Sequence, residues 1–232
     1  MLFPVYKGGD SMRQEIDRKV YKKRNLYDWF KKYGESEYGF DVDRDVDRIV
    51  RLSKERKESF FEYFFFAVRK GVNSVTERKI RLVDGKAYLY DKINPTRTVR
   101  TKEGVYQNSG FLREDDFKAF KESCRKTVEA AKNREVNGDL NRFSICDEPN
   151  VVYATCIPLL NFKGRTHPTP TGDQEALSVP RICWGKYYLG NDNRYHVTLN
   201  ITVSHLFVDG YPLANCFNQI QSYLSSSSIY QE

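Results

Sequence analysis

One stretch limits the possible folds more than any other. Between residues 197 and 204, Val197, Leu199, Ile201 and Val203 alternate with Thr198, Asn200, Thr202 and Ser204. Alternation with period two over this length marks a half-buried β-strand, apolar on one face and polar on the other. The strand ends at His205, and Asp209-Gly210 breaks the chain four residues later. A helix follows from about Pro212, with Leu213, Phe217, Ile220 and Leu224 at helical spacing. Such a chain must present a histidine at the end of a sheet strand, beside a loop, where reactive groups often sit.

The other elements are read in the same way. Phe60, Phe61, Phe64, Phe65, Ala67 and Val68 would nearly encircle a helix axis, which predicts a buried helix that Ser59 can cap. Strands at 79–83 and 87–90 flank Asp84-Gly85, a strong two-residue turn signal, and so predict a hairpin. Further strands are expected at 38–42, 96–100, 150–157 and 181–188. Helices are expected at 43–56 and 115–136, and a short one beginning near Asp17 would hold Asp28, Trp29 and Phe30. Residues 162–180 are rich in Pro, Thr and Gly and read as a loop. No repeat or long linker divides the chain, so residues 1–232 are expected to form a single domain. Long antiparallel strands with helices between them predict an α+β two-layer sandwich, a mostly antiparallel mixed sheet packed with helices.

Composition narrows the function classes. The formal net charge of +7 favours anionic ligands, a phosphate-bearing nucleotide cofactor among them. Basic and acidic residues alternate, as in Lys54-Glu55-Arg56-Lys57-Glu58, and there is neither a Cys/His finger spacing nor a long basic arm. No nucleic-acid partner is expected. The five cysteines, an odd number, fit no zinc or Cys-x-x-Cys spacing and suggest free thiols in a reducing compartment, with no metal cofactor. The longest apolar run, 60–68, is too short to cross a bilayer and carries Glu62. The first residues lack a signal-peptide pattern. A cytoplasmic protein with no membrane segment is expected.

Three histidines are available for imidazole chemistry. His167 lies in the Pro/Thr loop and reads as surface, and His196 opens a strand and reads as structural. His205 is the candidate, in His205-Leu206-Phe207-Val208-Asp209-Gly210. This segment resembles the signature of the chloramphenicol acetyltransferases, His-x-x-x-Asp-Gly at a strand end before the C-terminal helix. The similarity extends to Gly185-Lys186-Tyr187-Tyr188 in the preceding hairpin and to the stretch from Val72-Asn73 through Asp84-Gly85 to Pro95 and Val99. In all it covers about 20–224.

The resemblance implies an O-acetyltransferase working in a ternary complex, with acetyl-CoA as co-substrate and chloramphenicol as the named acceptor. His205 would be the general base, a role that suits a side chain titrating near physiological pH. Ser144, a few residues before Pro149, would stabilise the oxyanion. Asp209 would form a structural ion pair with Lys23 or Arg24, and Gly210 would allow a sharp exit into the helix. Lys186 could supply charge to a phosphate of coenzyme A, and Tyr187 could stack on its adenine. A homotrimer with sites between subunits is implied as well. The chain departs from the family in three places. Ser204 stands where a first histidine is frequent, Cys183 replaces a threonine near the reacting centre, and residues 31–40 match the acceptor-lining stretch poorly. Two alternatives stay open: the catalytic core of a dihydrolipoyl acyltransferase, and a trimeric ligand-binding relative without chemistry.

Overall fold

The strand leading to His205 runs through the larger of two sheets in the computed structural model, which describes residues 5–8, 11–110, 115–133, 148–164, 167–169 and 171–231. In chain order the elements are β1 (Val5–Gly8), β2 (Ser11–Glu15), α1 (Arg24–Phe30), β3 (Glu37–Asp45), α2 (Asp47–Glu55) and α3 (Phe60–Asn73). They continue with β4 (Ile80–Val83), β5 (Lys86–Tyr90), β6 (Asn94–Arg100), β7 (Tyr106–Gly110), α4 (Phe117–Lys132) and β8 (Val151–Cys156). The last are α5 (Gln174–Leu177), β9 (Arg181–Trp184), β10 (Tyr188–Leu189), β11 (Tyr195–Ser204) and α6 (Gly210–Ser225).

The smaller sheet is antiparallel, in the order β1-β2-β5-β4. In the larger sheet β7, β6, β8, β9 and β11 lie side by side, and β3 pairs with the far side of β11. Only β6–β8 and β8–β9 are parallel. This is the expected α+β arrangement of a mixed, mostly antiparallel sheet layered with helices. The β4–β5 hairpin turns through Asp84 and Gly85, both at positive φ (49° and 71°), as a tight primed turn requires.

The core lies between the large sheet and α3. From Tyr63 to Val68 every residue of α3 is at most 1% exposed. The rings of Phe61, Phe64 and Phe65 surround Trp184 of β9 at centroid distances of 5.5, 5.2 and 5.7 Å. On the other side of α3, Tyr63 and Phe66 meet Phe117, and Phe66 also meets Phe120. Helix α6 packs on α3 at Gly71, where an added Cβ would lie 2.3 Å from Ile220 Cγ1 and 3.0 Å from the Ile220 nitrogen.

Several sequence expectations shift. Strands β1, β2 and β7 were not foreseen, because their polar residues show no clean alternation. Helix α1 starts at Arg24 rather than near Asp17, which instead accepts a turn bond from the Val20 amide. The predicted 162–180 loop contains one helical turn, α5, whose N-terminal amides at Glu175 and Ala176 are met by the Asp173 carboxylate. Ser59 occupies the cap position of α3, but its side chain makes no capping bond. The expected β-strand at 181–188 splits into β9 and β10 around Gly185, where a Cβ would meet the Leu160 carbonyl at 2.4 Å.

Two buried arginines are handled in opposite ways. Arg81 is spent on backbone, donating at 2.8 Å to the carbonyls of Pro149, Arg78, Ile80 and Val151. Arg78 is 0% exposed, and none of its three guanidinium nitrogens has a hydrogen-bond partner among the described residues. Burial accordingly pushes its pKa down. An uncompensated buried cation is costly, so Arg78→Met is expected to stabilise the fold by at least about 1 kcal/mol in denaturant melts. A lower midpoint would mean that the guanidinium is satisfied after all. Gly71→Ala should act in the opposite sense, costing roughly 1–3 kcal/mol through overpacking against Ile220, read in the same melts.

Glu58 gives the stability a pH dependence. Lys121, 5% exposed at its side chain, donates to Glu58 at 2.6 Å, and the Tyr63 hydroxyl donates to the same carboxylate. Burial alone would raise the Glu58 pKa, but these two hydrogen bonds outweigh it and hold the carboxyl below the ordinary range. A depressed folded pKa adds stability that is complete above the unfolded value and is lost as pH falls through the folded one. The melting-temperature gap between wild type and Glu58→Gln should therefore be widest near neutrality and close under acid. A gap that is constant across pH would contradict this.

Candidate active site

His205 is positioned by the longest strand pairing in the molecule. Strand β3 lies antiparallel to β11 from Asp45 opposite His196 to Glu37 opposite Ser204. One residue beyond that ladder, the His205 amide donates to the Ser36 carbonyl at 2.7 Å. The half-buried imidazole stacks on Phe30 (centroids 3.9 Å, planes 12° apart) and leans on Tyr38 at 4.5 Å. Its Nδ1 is buried and has no hydrogen-bond partner among the described residues. The Tyr38 hydroxyl is also buried and has no partner among the described residues, and burial together with the Asp209 carboxylate pushes its pKa up to about 12. With Nδ1 enclosed, Nε2 is the nitrogen through which the ring would act on a second molecule.

Behind it, Asp209 caps α6. Its Oδ1 accepts from the Tyr211 amide at 3.2 Å, and its Oδ2 lies 3.0 Å from the Lys23 ammonium. Lys23 also reaches Glu77 at 3.0 Å. Burial works against this ammonium, but the hydrogen bonds to Asp209 and Glu77 outweigh it and keep its pKa above the usual lysine value. Of the two basic residues considered for Asp209, the partner is thus Lys23; Arg24 turns away and donates to the Lys19 carbonyl. Asp209 points toward Lys23 and the helix, not toward the imidazole. Gly210 does not serve as expected. Its φ lies outside the left-handed region, and a Cβ there would meet nothing within 4 Å, so nothing in the subunit demands glycine.

The other predicted residues lie apart from His205. Ser144 falls outside the described residues. Cys183 is 2% exposed in β9, opposite Thr155 of β8 and Asn200 of β11. Among the described residues it forms no disulfide, and neither do Cys124, Cys156 and Cys216. Lys186 is exposed, and its backbone amide donates to the Leu160 carbonyl at 2.7 Å. The Tyr187 ring packs against Phe60 at 4.8 Å and Tyr195 at 5.5 Å. Their neighbour Tyr188 pairs with His196, nine residues before His205. At ~3.3 Å per strand residue that is roughly 30 Å from the imidazole, so only an extended ligand could touch both. His196 itself is held 3.0 Å from the Asp192 carboxylate.

The sequence reading missed a cleft of about 560 Å³ on the face of the large sheet turned away from α3, lined by Thr96, Thr98, Tyr153, Thr155, His167 and Arg181 among others. Register places these strand residues on one face: Thr96 pairs with Tyr153, Tyr153 with Arg181, and Thr155 with Cys183. Arg181 is tied to Glu37, both side chains being about one-tenth exposed. The aromatic partners of His205 were missed too; the richness in Phe and Tyr signalled aromatic packing without naming its members. No group of His, Cys, Asp and Glu among the described residues is arranged to hold a metal ion. Among them, no helix is long and apolar enough to cross a membrane.

The comparisons with known proteins agree on one family. The family model described as chloramphenicol acetyltransferase matches residues 12–221. The Escherichia coli chloramphenicol acetyltransferase is 20% identical over 209 residues, covering 90% of this chain and 92% of that protein. A Staphylococcus aureus chloramphenicol acetyltransferase is 24% identical over 214 residues, covering 89% and 93%. A solved chloramphenicol acetyltransferase structure superposes with a TM-score of 0.84 at 20% identity, covering 92% of this chain and all of that one. The dihydrolipoamide acetyltransferase of Azotobacter vinelandii superposes less closely, with a TM-score of 0.62 at 13% identity, covering 89% and 88%. With nearly its whole length matched, this chain belongs to the chloramphenicol acetyltransferase family and is an acyltransferase.

Proposed function

We propose that the protein is an O-acetyltransferase that moves acetyl from acetyl-CoA to a hydroxyl of a small molecule, with chloramphenicol as the first acceptor to test. The observation that carries this is the imidazole of His205 at the end of β11, packed against Phe30 and Tyr38 with Nδ1 buried. In a ternary complex Nε2 accepts the proton of the acceptor hydroxyl. The oxygen attacks the thioester carbonyl carbon and forms a tetrahedral oxyanion. Collapse breaks the carbon–sulfur bond, and the imidazolium returns its proton to the departing thiolate of coenzyme A. Ser144 is the proposed oxyanion donor. Asp209 and Lys23 act as structural anchors of the turn, and Lys186 and Tyr187 as contacts for the nucleotide end of coenzyme A.

The proposed assembly is a cytoplasmic homotrimer of single-domain subunits. In it the polar cleft on the outer sheet face would take the acceptor, and the neighbouring subunit would deliver its His205. One feature supports this reading: the cleft lies on the sheet face turned away from α3, where Thr96, Thr98, Tyr153 and Thr155 can meet a bound molecule. The higher TM-score and the family match favour it over a dihydrolipoyl acyltransferase core.

The test is release of coenzyme A thiol from acetyl-CoA with chloramphenicol and a panel of other alcohols. Turnover is expected with at least one of them, and His205→Ala should lower it by about 10²-fold or more, within the range of a positioned base, while acetyl-CoA binding persists. Binding without turnover by wild type on every alcohol would identify a ligand-binding relative instead.

A further inference from the structure

The turn that carries His205 is held by one hydrogen-bonded relay, and its direction follows from donor and acceptor chemistry. Gln174 Nε2 donates to the Tyr33 carbonyl at 2.7 Å. A carbonyl can only accept, so this bond fixes which end of the amide is nitrogen and leaves Oε1 facing Ser36. The Ser36 hydroxyl donates to that Oε1 at 2.7 Å. Its single proton is then used, so Ser204 must be the donor where the two hydroxyls meet at 3.2 Å. Ser204 Oγ in turn accepts the Leu206 amide at 3.3 Å. Beside the relay, the Ser36 carbonyl accepts the His205 amide. Both serines are 3% exposed.

We infer that Gln174, Ser36 and Ser204 are positioning residues for His205, working as one unit. The relay fixes Ser204 and Leu206, the residues on either side of His205, and Ser36 fixes the His205 backbone directly. Its far end holds Tyr33, just beyond α1; the Tyr33 ring lies 5.3 Å from Phe30, the ring on which the imidazole is stacked. The imidazole and its platform are therefore referenced to the same side chain, Gln174, carried by a single turn of helix that Asp173 caps. Bonds running in one direction polarise each other, and the buried Ser36–Ser204–Leu206 part of the relay is held rigidly by them. Removing the Ser204 hydroxyl strands the Leu206 amide and lets the turn drift, and a drift of about 1 Å at a reacting group costs about 10²-fold in rate.

The inference rests on His205 as the base, and the experiment separates the two. Steady-state kinetics with acetyl-CoA and the accepted alcohol would compare wild type, Ser204→Ala, Gln174→Ala, the double variant, Ser204→Thr and His205→Ala. Gln174 is only half-buried, so its alanine variant should fold. Each single alanine variant should lower kcat roughly 10- to 100-fold, with KM for acetyl-CoA within about threefold of wild type. The double variant should fall little further than the worse single one, as residues acting as a unit do. Ser204→Thr, which keeps the hydroxyl, should recover most of kcat. If both alanine variants keep kcat within about threefold of wild type while His205→Ala is inactive, the relay does not position the base, though the base assignment stands. Losses that simply add would also overturn the relay. If His205→Ala turns over like wild type, the base assignment fails and the relay with it.

Discussion

The site depends on the antiparallel ladder between β3 and β11. Register in a sheet is fixed by which side chains must face the core, and a slip of one residue would turn every side chain of β11 over. Val197, Leu199, Ile201 and Val203 are all 0% exposed against the helical layer, so no slip is affordable. The end of the ladder at Glu37 and Ser204 then sets where His205 emerges and which carbonyl receives its amide. Helix α6 starts five residues later and is locked to α3 at Gly71, so the chain on both sides of the histidine is anchored in the core.

What the sequence revealed, and what it concealed, follows from the range of the forces involved. Strand β11, the buried helix α3 and the β4–β5 hairpin were legible because each is dictated by local period or by a single turn pair. His205 was legible because a strand end and an Asp-Gly break frame it. The polar strands β1, β2 and β7 have no period of their own and exist only because a neighbour pairs with them. Residues 162–180 read as loop because Pro and Gly dominate, and the one helical turn within them is held by a cap and by distant contacts from Gln174. The choice between Lys23 and Arg24 could not be made locally, because adjacent side chains on α1's leading turn point in different directions.

The residues around the imidazole show the same limit. Phe30 ends α1, Ser36 and Tyr38 flank the start of β3, and Gln174 opens α5 far along the chain, and no spacing rule links the three elements. Ser204, met first as a departure from the family pattern, gains a meaning only when Ser36 and Gln174 are seen beside it. Arg78 is the reverse case. A charged side chain would by type belong at the surface, yet it lies in the core with no hydrogen-bond partner among the described residues.

The outer border of the large sheet at β3 has a consequence for how copies of this chain can meet. Among the described residues β3 pairs only with β11, so its other side carries unpaired backbone groups that could recruit a strand from another molecule. That border bears Glu37, Asp41, Asp43 and Asp45. Glu37, Asp43 and Asp45 are ion-paired with Arg181, Lys163 and Arg194, so a strand arriving at a spacing of about 4.8 Å would meet a row of charged pairs rather than an apolar edge. The chain thereby discourages endless strand-by-strand polymerisation at the same strand whose register sets the place of its histidine.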